Sequence, residues 1–167
     1  SLTYLGNGNW SFSATHQYLD DNPTATSSDV YTVGVTITDD DNETDTASTT
    51  VTVANVAPEI TSMSLSSTSI DEGSSTTLTI NWDDPGTQDT YTVTINWGDD
   101  SDPTVLSITP SIDVIPVVAG IRTLSVTHTY ADDGPSPGNG TSSDVSTISV
   151  TVDDDDLGSD SGSIDVT

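Results

Sequence analysis

Cysteine is absent from this 167-residue chain, lysine is absent too, and Arg122 is the only strong cation. Without cysteine there is neither a disulfide framework nor a thiolate metal site. Without basic residues the electrostatic route to nucleic acid is closed, because neutralising phosphates requires Lys and Arg. An anionic membrane surface is disfavoured for the same reason. No apolar run approaches the length of a membrane span and no export signal is present, so neither nucleic acid nor membrane insertion is expected. Large apolar side chains are scarce as well, with one Phe and one Met.

What is present is aspartate. Glutamate occurs only as Glu43, Glu59 and Glu72, and the net charge is −26. Self-repulsion of this size destabilises a compact state, and divalent cations are the natural compensation. Strong acidity with few aromatics can also mark disorder. Against that, runs of Val, Ile, Thr and Tyr alternate with period two and are punctuated by Gly, Pro, Asn and Asp, the pattern of short half-buried strands. Such stretches are Trp10–Tyr18, Tyr31–Ile37, Ala47–Val53, Ile60–Leu65, Thr77–Trp82, Tyr91–Trp97, Arg122–Tyr130, Val145–Val152 and Gly162–Val166, with one or two weaker strands between Pro103 and Val118.

Part of this series is a repeat. Thr15-His16-Gln17-Tyr18-Leu19-Asp20-Asp21 returns as Thr127-His128-Thr129-Tyr130-Ala131-Asp132-Asp133, with the histidines 112 positions apart. Each copy continues into Ser-Ser-Asp-Val (27–30 and 142–145), an alternating strand and an Asp cluster (39–41 and 153–156). Internal repetition marks modular architecture. Residues 1–54 then read as the C-terminal half of a first repeat, 55–58 as a linker stiffened by Pro58, and 59–167 as a complete second repeat. Seven or so short strands in the second unit, without helical periodicity, describe an all-β, immunoglobulin-like sandwich, about one and a half units in total. The half-unit would expose a sheet edge and an apolar face; the chain is a cut piece of a tandem array, or another chain supplies the strands.

Trp97-Gly98-Asp99-Asp100-Ser101, together with His128-Thr129-Tyr130, resembles the PKD family of Ig-like repeats, with its WGDGS-type turn followed by H-x-Y. Asp100 stands where that family usually has its second glycine. Val152-Asp153-Asp154 and Ile37-Thr38-Asp39 match the V-T-D strand end, and Asp84-Pro85-Gly86 with Asp89-Thr90-Tyr91 looks like the loop before the WGD strand in bacterial tandem copies. The resemblance covers residues 58–167 and the second half of a copy in 1–54. It implies an extracellular module of large bacterial or archaeal surface proteins, serving as adhesive, spacer or carbohydrate-surface unit.

Calcium takes six to eight oxygen ligands. In a sandwich of this type the joint before the first strand shares one end with two loops, which here are Asp83–Asp89 and Asp153–Asp156. Asp84, Asp89 and Asp154 are therefore expected around one ion, with Asn55 or nearby carbonyls, and Asp156, completing the shell. The resemblance implies the same end, which calcium-binding PKD modules use. Asp20 and Asp21 lie at the pole of the first unit that faces the second and could join the joint. Asp39 and Asp41 form the equivalent loop of the first unit, whose partner loop the chain lacks. Asp39-x-Asp41-x-Glu43 and Asp153-x-Asp155-x-Leu157 lack the glycine and terminal glutamate of an EF-hand, so any site must be assembled across the fold.

Other readings are weaker. His16 and His128 sit in separate repeats, without the clustered ligands of a zinc site, and are expected to brace turns. Gly134-Pro135-Ser136-Pro137-Gly138 fits the serine-hydrolase elbow as letters, but that elbow needs a strand, turn and helix. No cleft for a carboxylate pair can be argued, so no enzyme is expected. Trp82, Trp97 and Trp10 are expected in core or rim packing, although exposed aromatics could stack on sugars. Asn9, Asn42 and Asn139 head N-glycosylation triplets. The expected protein is a calcium-rigidified extracellular spacer or adhesion repeat of a surface or filament protein, its partners neighbouring repeats of the same or an identical chain and cell-surface glycans. The alternatives are a polysaccharide-binding module and a filament subunit assembled by strand complementation through its incomplete first unit.

Overall fold

The computed structural model describes residues 2–21, 25–109, 121–133 and 140–167. In chain order the strands are β1 (Leu2–Gly6), β2 (Asn9–Phe12), β3 (Ser28–Thr38), β4 (Thr44–Ala54), β5 (Glu59–Leu65), β6 (Ser75–Asp83), β7 (Tyr91–Asn96), β8 (Thr104–Ile108), β9 (Ile121–Thr129), β10 (Ser146–Asp154) and β11 (Ser159–Val166). No helix forms among the described residues, and none is therefore long and apolar enough to cross a membrane. The protein is all-β, as its period-two patterning predicts.

From Glu59 onward the strands form two antiparallel sheets, ordered β5-β6-β9 and β11-β10-β7-β8. Alternation decides which side chains enter the space between them. Leu78, Ile80 and Trp82 on β6, Val93 and Ile95 on β7, and Ile148, Val150 and Val152 on β10 are all buried. Their intervening neighbours face outward, where hydroxyls pair across strands, as in Thr77–Thr127 and Thr79–Ser125. This is a β-sandwich whose core is built from inward-facing residues of both sheets. Ile60 N donates to Asp160 Oδ2 at 2.7 Å, tying β5 to β11 across the open edge.

The first unit holds two separate hairpins, β1-β2 and β3-β4. The second of these is a structural copy of β10-β11. A shift of 115 positions carries the pair Tyr31↔Val51 onto Ser146↔Val166, and Thr38↔Thr44 onto Asp153↔Ser159. Asp39 Oδ1 accepts from Asp41 N and Glu43 N, as Asp154 Oδ1 accepts from Asp156 N and Gly158 N. Asn42 and Leu157 take matching positive φ values of 66° and 73°.

What differs is cover. Ile148, Val150 and Val152 are at most 1% exposed, whereas their counterparts Val33, Val35 and Ile37 are 42, 43 and 68% exposed. No sheet equivalent to β5-β6-β9 lies over them among the described residues. The expectation for residues 10–18 is corrected for the same reason. The strand there ends at Phe12, because the partner that β6 provides for β9 is missing, and β2 pairs instead with β1. Trp10, expected in core or rim packing, is 61% exposed and touches only Tyr4 among the described rings. Trp82 and Trp97 are in the core as expected. The stretch 110–118, the elbow-like 134–138 and Asn139 lie outside the described residues.

Candidate metal centre

The β6–β7 loop owes its shape to local hydrogen bonding. Asp84 accepts from Gly86 N at Oδ1 (2.8 Å), a turn in which an aspartate side chain mimics the backbone, with Pro85 between them. The loop is then held from beneath by Arg122 on β9. Its guanidinium donates to the carbonyls of Asp84 (3.0 Å) and Gly86 (2.7 Å) and lies 4.6 Å from the Tyr91 ring centroid. The only strong cation is thus spent on backbone carbonyls and an aromatic face beneath the aspartates.

The β10–β11 turn arrives from the other side. Asp154 uses Oδ1 to hold the turn backbone, and its Oδ2 accepts from Asn55 Nδ2 at 2.7 Å. The linker follows a similar logic: Asn55 N donates to Ser27 O in the first unit, while its side chain reaches Asp154 and the carbonyl of Asp156 in the second. Two glycines leave room for the carboxylates. A Cβ on Gly86 would collide with Asp89 Oδ2, and one on Gly158 with Asp154 Oδ2.

Asp84, Asp89 and Asp154 consequently present carboxylate oxygens within 4.8 Å of one another. Asp84 is 0% and Asp89 2% exposed, and Oδ2 of each meets no hydrogen-bond partner. A buried carboxylate oxygen without a partner is disfavoured. Burial accordingly pushes the Asp84 carboxyl up, although the Gly86 amide and the Arg122 charge oppose it. Asp89 is pushed up to about 7, first by burial and then by the negative charge of Asp84, Asp20, Asp155 and Asp154. Tyr91 is also raised, by burial and by Asp84, so its hydroxyl stays protonated.

A second group shares Asp89. Asp20 of the first unit, Asp89 and Asp156 also bring carboxylate oxygens within 4.8 Å. Asp156 is 0% exposed and its oxygens meet no N–H or hydroxyl donor among the described residues; the same holds for Oδ2 of buried Asp21, and the two carboxyls face each other closely enough to share a proton. Burial, then Asp21 and Asp155, pushes Asp156 up to about 6, and burial likewise raises Asp21, whose carboxyl faces that of Asp156. Several acidic clusters of this structure can therefore hold a metal ion. Donors that are all oxygen suit hard cations such as Ca²⁺ or Mg²⁺ rather than zinc or copper.

Of the residues singled out from sequence, Asp84, Asp89, Asp154, Asp156, Asn55, Asp20 and Asp21 converge on this joint. Asp39 and Asp41 do not: both are exposed, and among the described residues they join no carboxylate group. Sequence reasoning missed the anchoring role of Arg122, which only a pairing of β6 with β9 brings under Asp84. It also missed a third group, Glu72, Asp132 and Asp133, at the far pole of the second unit. The repeat held the signal, since Asp132 and Asp133 stand 112 positions after Asp20 and Asp21.

His128 braces a turn. His128 Nε2 lies 2.7 Å from Asp99 Oδ2, and its ring stacks on Trp97 (4.5 Å) and meets Tyr130 edge-on. Burial pushes Asp99 up, but the hydrogen bonds from His128 and Ser101 outweigh it and hold the carboxyl below its ordinary value. Asp100, in the same turn, adopts a left-handed φ of 60°. His16 packs edge-on against Tyr18. Trp82 and Trp97 are buried and offer no ring face to a sugar. No protein-family model matches the sequence, and no curated protein matches it.

Proposed function

We propose that this chain is a calcium-rigidified spacer or adhesion repeat of a large extracellular surface or filament protein. The observation that carries the reading is the pair of buried, unpartnered carboxylate oxygens on Asp84 and Asp89, converging with Asp154 at the pole of the sandwich that meets the linker. A cation there would neutralise like charges that otherwise repel, and would fix the two loops and the linker to one another. Calcium is favoured over magnesium because it tolerates irregular, high-coordination oxygen shells, while magnesium demands a near-octahedral one. The PKD resemblance and the net charge of −26 support an extracellular, ion-rich setting.

The test is thermal unfolding of chelated protein with and without millimolar calcium at fixed ionic strength. A ligand that binds only the folded state at a hundred times its Kd adds about 2.7 kcal/mol per site, a midpoint rise on the order of ten degrees for a domain of this size. The triple variant D84N/D89N/D154N should lose most of that rise. An unchanged shift in the variant, or no shift beyond that given by sodium in the parent, overturns the reading.

A second reading, a filament subunit completed by strand complementation, is favoured by the uncovered Val33–Val35–Ile37 face. Fibres that form in the parent and vanish when residues 1–54 are removed would establish it. A polysaccharide-binding role retains Trp10 and Phe12 as its exposed aromatics. Retention on an insoluble glycan, lost on Trp10→Ala, would support it.

A further inference from the structure

The carboxylates between the two units outnumber what one ion at Asp84, Asp89 and Asp154 can engage. Asp156 lies beyond that triad with both oxygens buried and without a donor among the described residues, facing the equally buried Oδ2 of Asp21. Beside Asp21 and Asp89 is a cavity of about 110 Å³ between the units, lined by Asp20, Asp21, Asn55, Val56, Gly86 and Asp89 among others. Room on that scale accommodates an ion with coordinating water, and the carboxylates of Asp20, Asp21 and Asp89 with the Asn55 amide supply the partners that water needs, although apolar side chains line the rest.

The backbone holds this gap together independently of the carboxylates. Ala25 N donates to Asp155 O at 2.7 Å, and from the linker the Asn55 side chain donates to Asp156 O at 3.2 Å. The two units are thus drawn together at the place where Asp20, Asp21, Asp89 and Asp156 concentrate negative charge. Like charges brought that close in a buried setting cost several kcal/mol in total unless something of opposite sign lies between them. The single arginine sits beneath Asp84, whose charge it offsets, and is not among the chief charges that act on Asp89, Asp156 or Asp21.

We infer a second divalent-cation site, formed only when the two units are docked, in which Asp20 and Asp21 from the first unit and Asp156 from the second hold an ion that shares Asp89 with the first. Asp89 is the residue common to both groups of carboxylates. The second ion is an inter-unit clamp: the first fixes loops within the sandwich, while the second fixes the angle between repeats. This rests on the reading of the first site, since both draw on Asp89.

Calorimetric titration and native mass spectrometry of the full chain with calcium chloride, with X-ray scattering as a measure of inter-unit flexibility, separate the two. The parent should bind one ion more than D20N/D21N and one more than D156N, in which the new amide can still donate to the Asp21 carboxylate that Asp156 faces. Both variants should keep the calcium-dependent stabilisation of the sandwich but lose calcium-dependent stiffening between units. In chelator, D156N should melt above the parent, because a buried repulsive charge has gone; in calcium the order should reverse. A merely structural Asp156 would give no such reversal. If neither variant changes the number of ions bound, the inter-unit site is wrong while the first stands. If the parent binds no calcium, both fall.

Discussion

The side-chain amide of Asn55 lies 2.7 Å from Oδ2 of Asp154, across 99 positions of chain. A residue of the linker thereby holds a carboxylate of the candidate metal centre in place, through its own side chain and through the backbone bond to Ser27. Replacing Asn55 by Ala removes two side-chain hydrogen bonds, one of them to a charged acceptor. The expected loss is about 2 kcal/mol, read as a lower denaturant midpoint, together with weaker calcium binding because Asp154 is no longer oriented.

Gly86 supports a sharper test. Its Cβ position overlaps the Asp89 carboxylate, and its φ lies outside the left-handed region, so alanine fits the backbone but not the site. Gly86→Ala should therefore displace Asp89 and weaken calcium binding roughly tenfold, equivalent to about 1.4 kcal/mol, in a titration by calorimetry. Unchanged affinity would mean that Asp89 is not a ligand.

Acidity should act oppositely on the metal-free and calcium-loaded protein. Asp89 and Asp156 have folded-state values raised to about 7 and about 6 from 3.8. Between those limits the folded state binds more protons than the unfolded one, so metal-free stability falls as pH rises from 4 towards 7. Moving one carboxyl from 3.8 to about 7 corresponds to on the order of 4 kcal/mol. In chelator the melting temperature should be higher at pH 5 than at pH 7.5. In saturating calcium the difference should shrink or invert, because protons and cations compete for the same oxygens. Parallel curves in both conditions would count against the site.

The register-matched hairpins make a controlled comparison of burial. Val150→Ala opens a gap in the sandwich core and should cost about 2–3 kcal/mol. Val35→Ala, at the equivalent position of the uncovered copy, should stay within about 0.5 kcal/mol. Chemical denaturation of both variants decides it. An equal cost would show that β3 is covered in solution, by another chain or by self-association.

These outcomes mirror what could be read from residues alone. The alternation of Leu78, Ile80 and Trp82, or of Ile148, Val150 and Val152, names the buried face because sheet periodicity is local. Asp84, Asp89 and Asp154 could be grouped because strand order brings their loops to one pole. The same alternation in β3 misleads about burial, since Val33 and Val35 carry the signal of a core face without the sheet that would cover it. Trp10 fails in the same way. The approach of Asp21 to Asp156 depends on how two units abut, a relation across 135 positions that no local pattern encodes.

One further consequence follows from the position of Arg122. Proteases of trypsin specificity cut after Lys or Arg, and this chain gives them a single peptide bond, Arg122–Thr123. That bond lies in β9, paired to β6 opposite Trp82 and Asn81, and the Arg122 side chain that such an enzyme must grasp is 3% exposed. Cleavage then requires β9, at the edge of its sheet, to detach from β6, so digestion into two fragments reports that opening. A repeat array of this composition would withstand trypsin-like enzymes for as long as it stays folded.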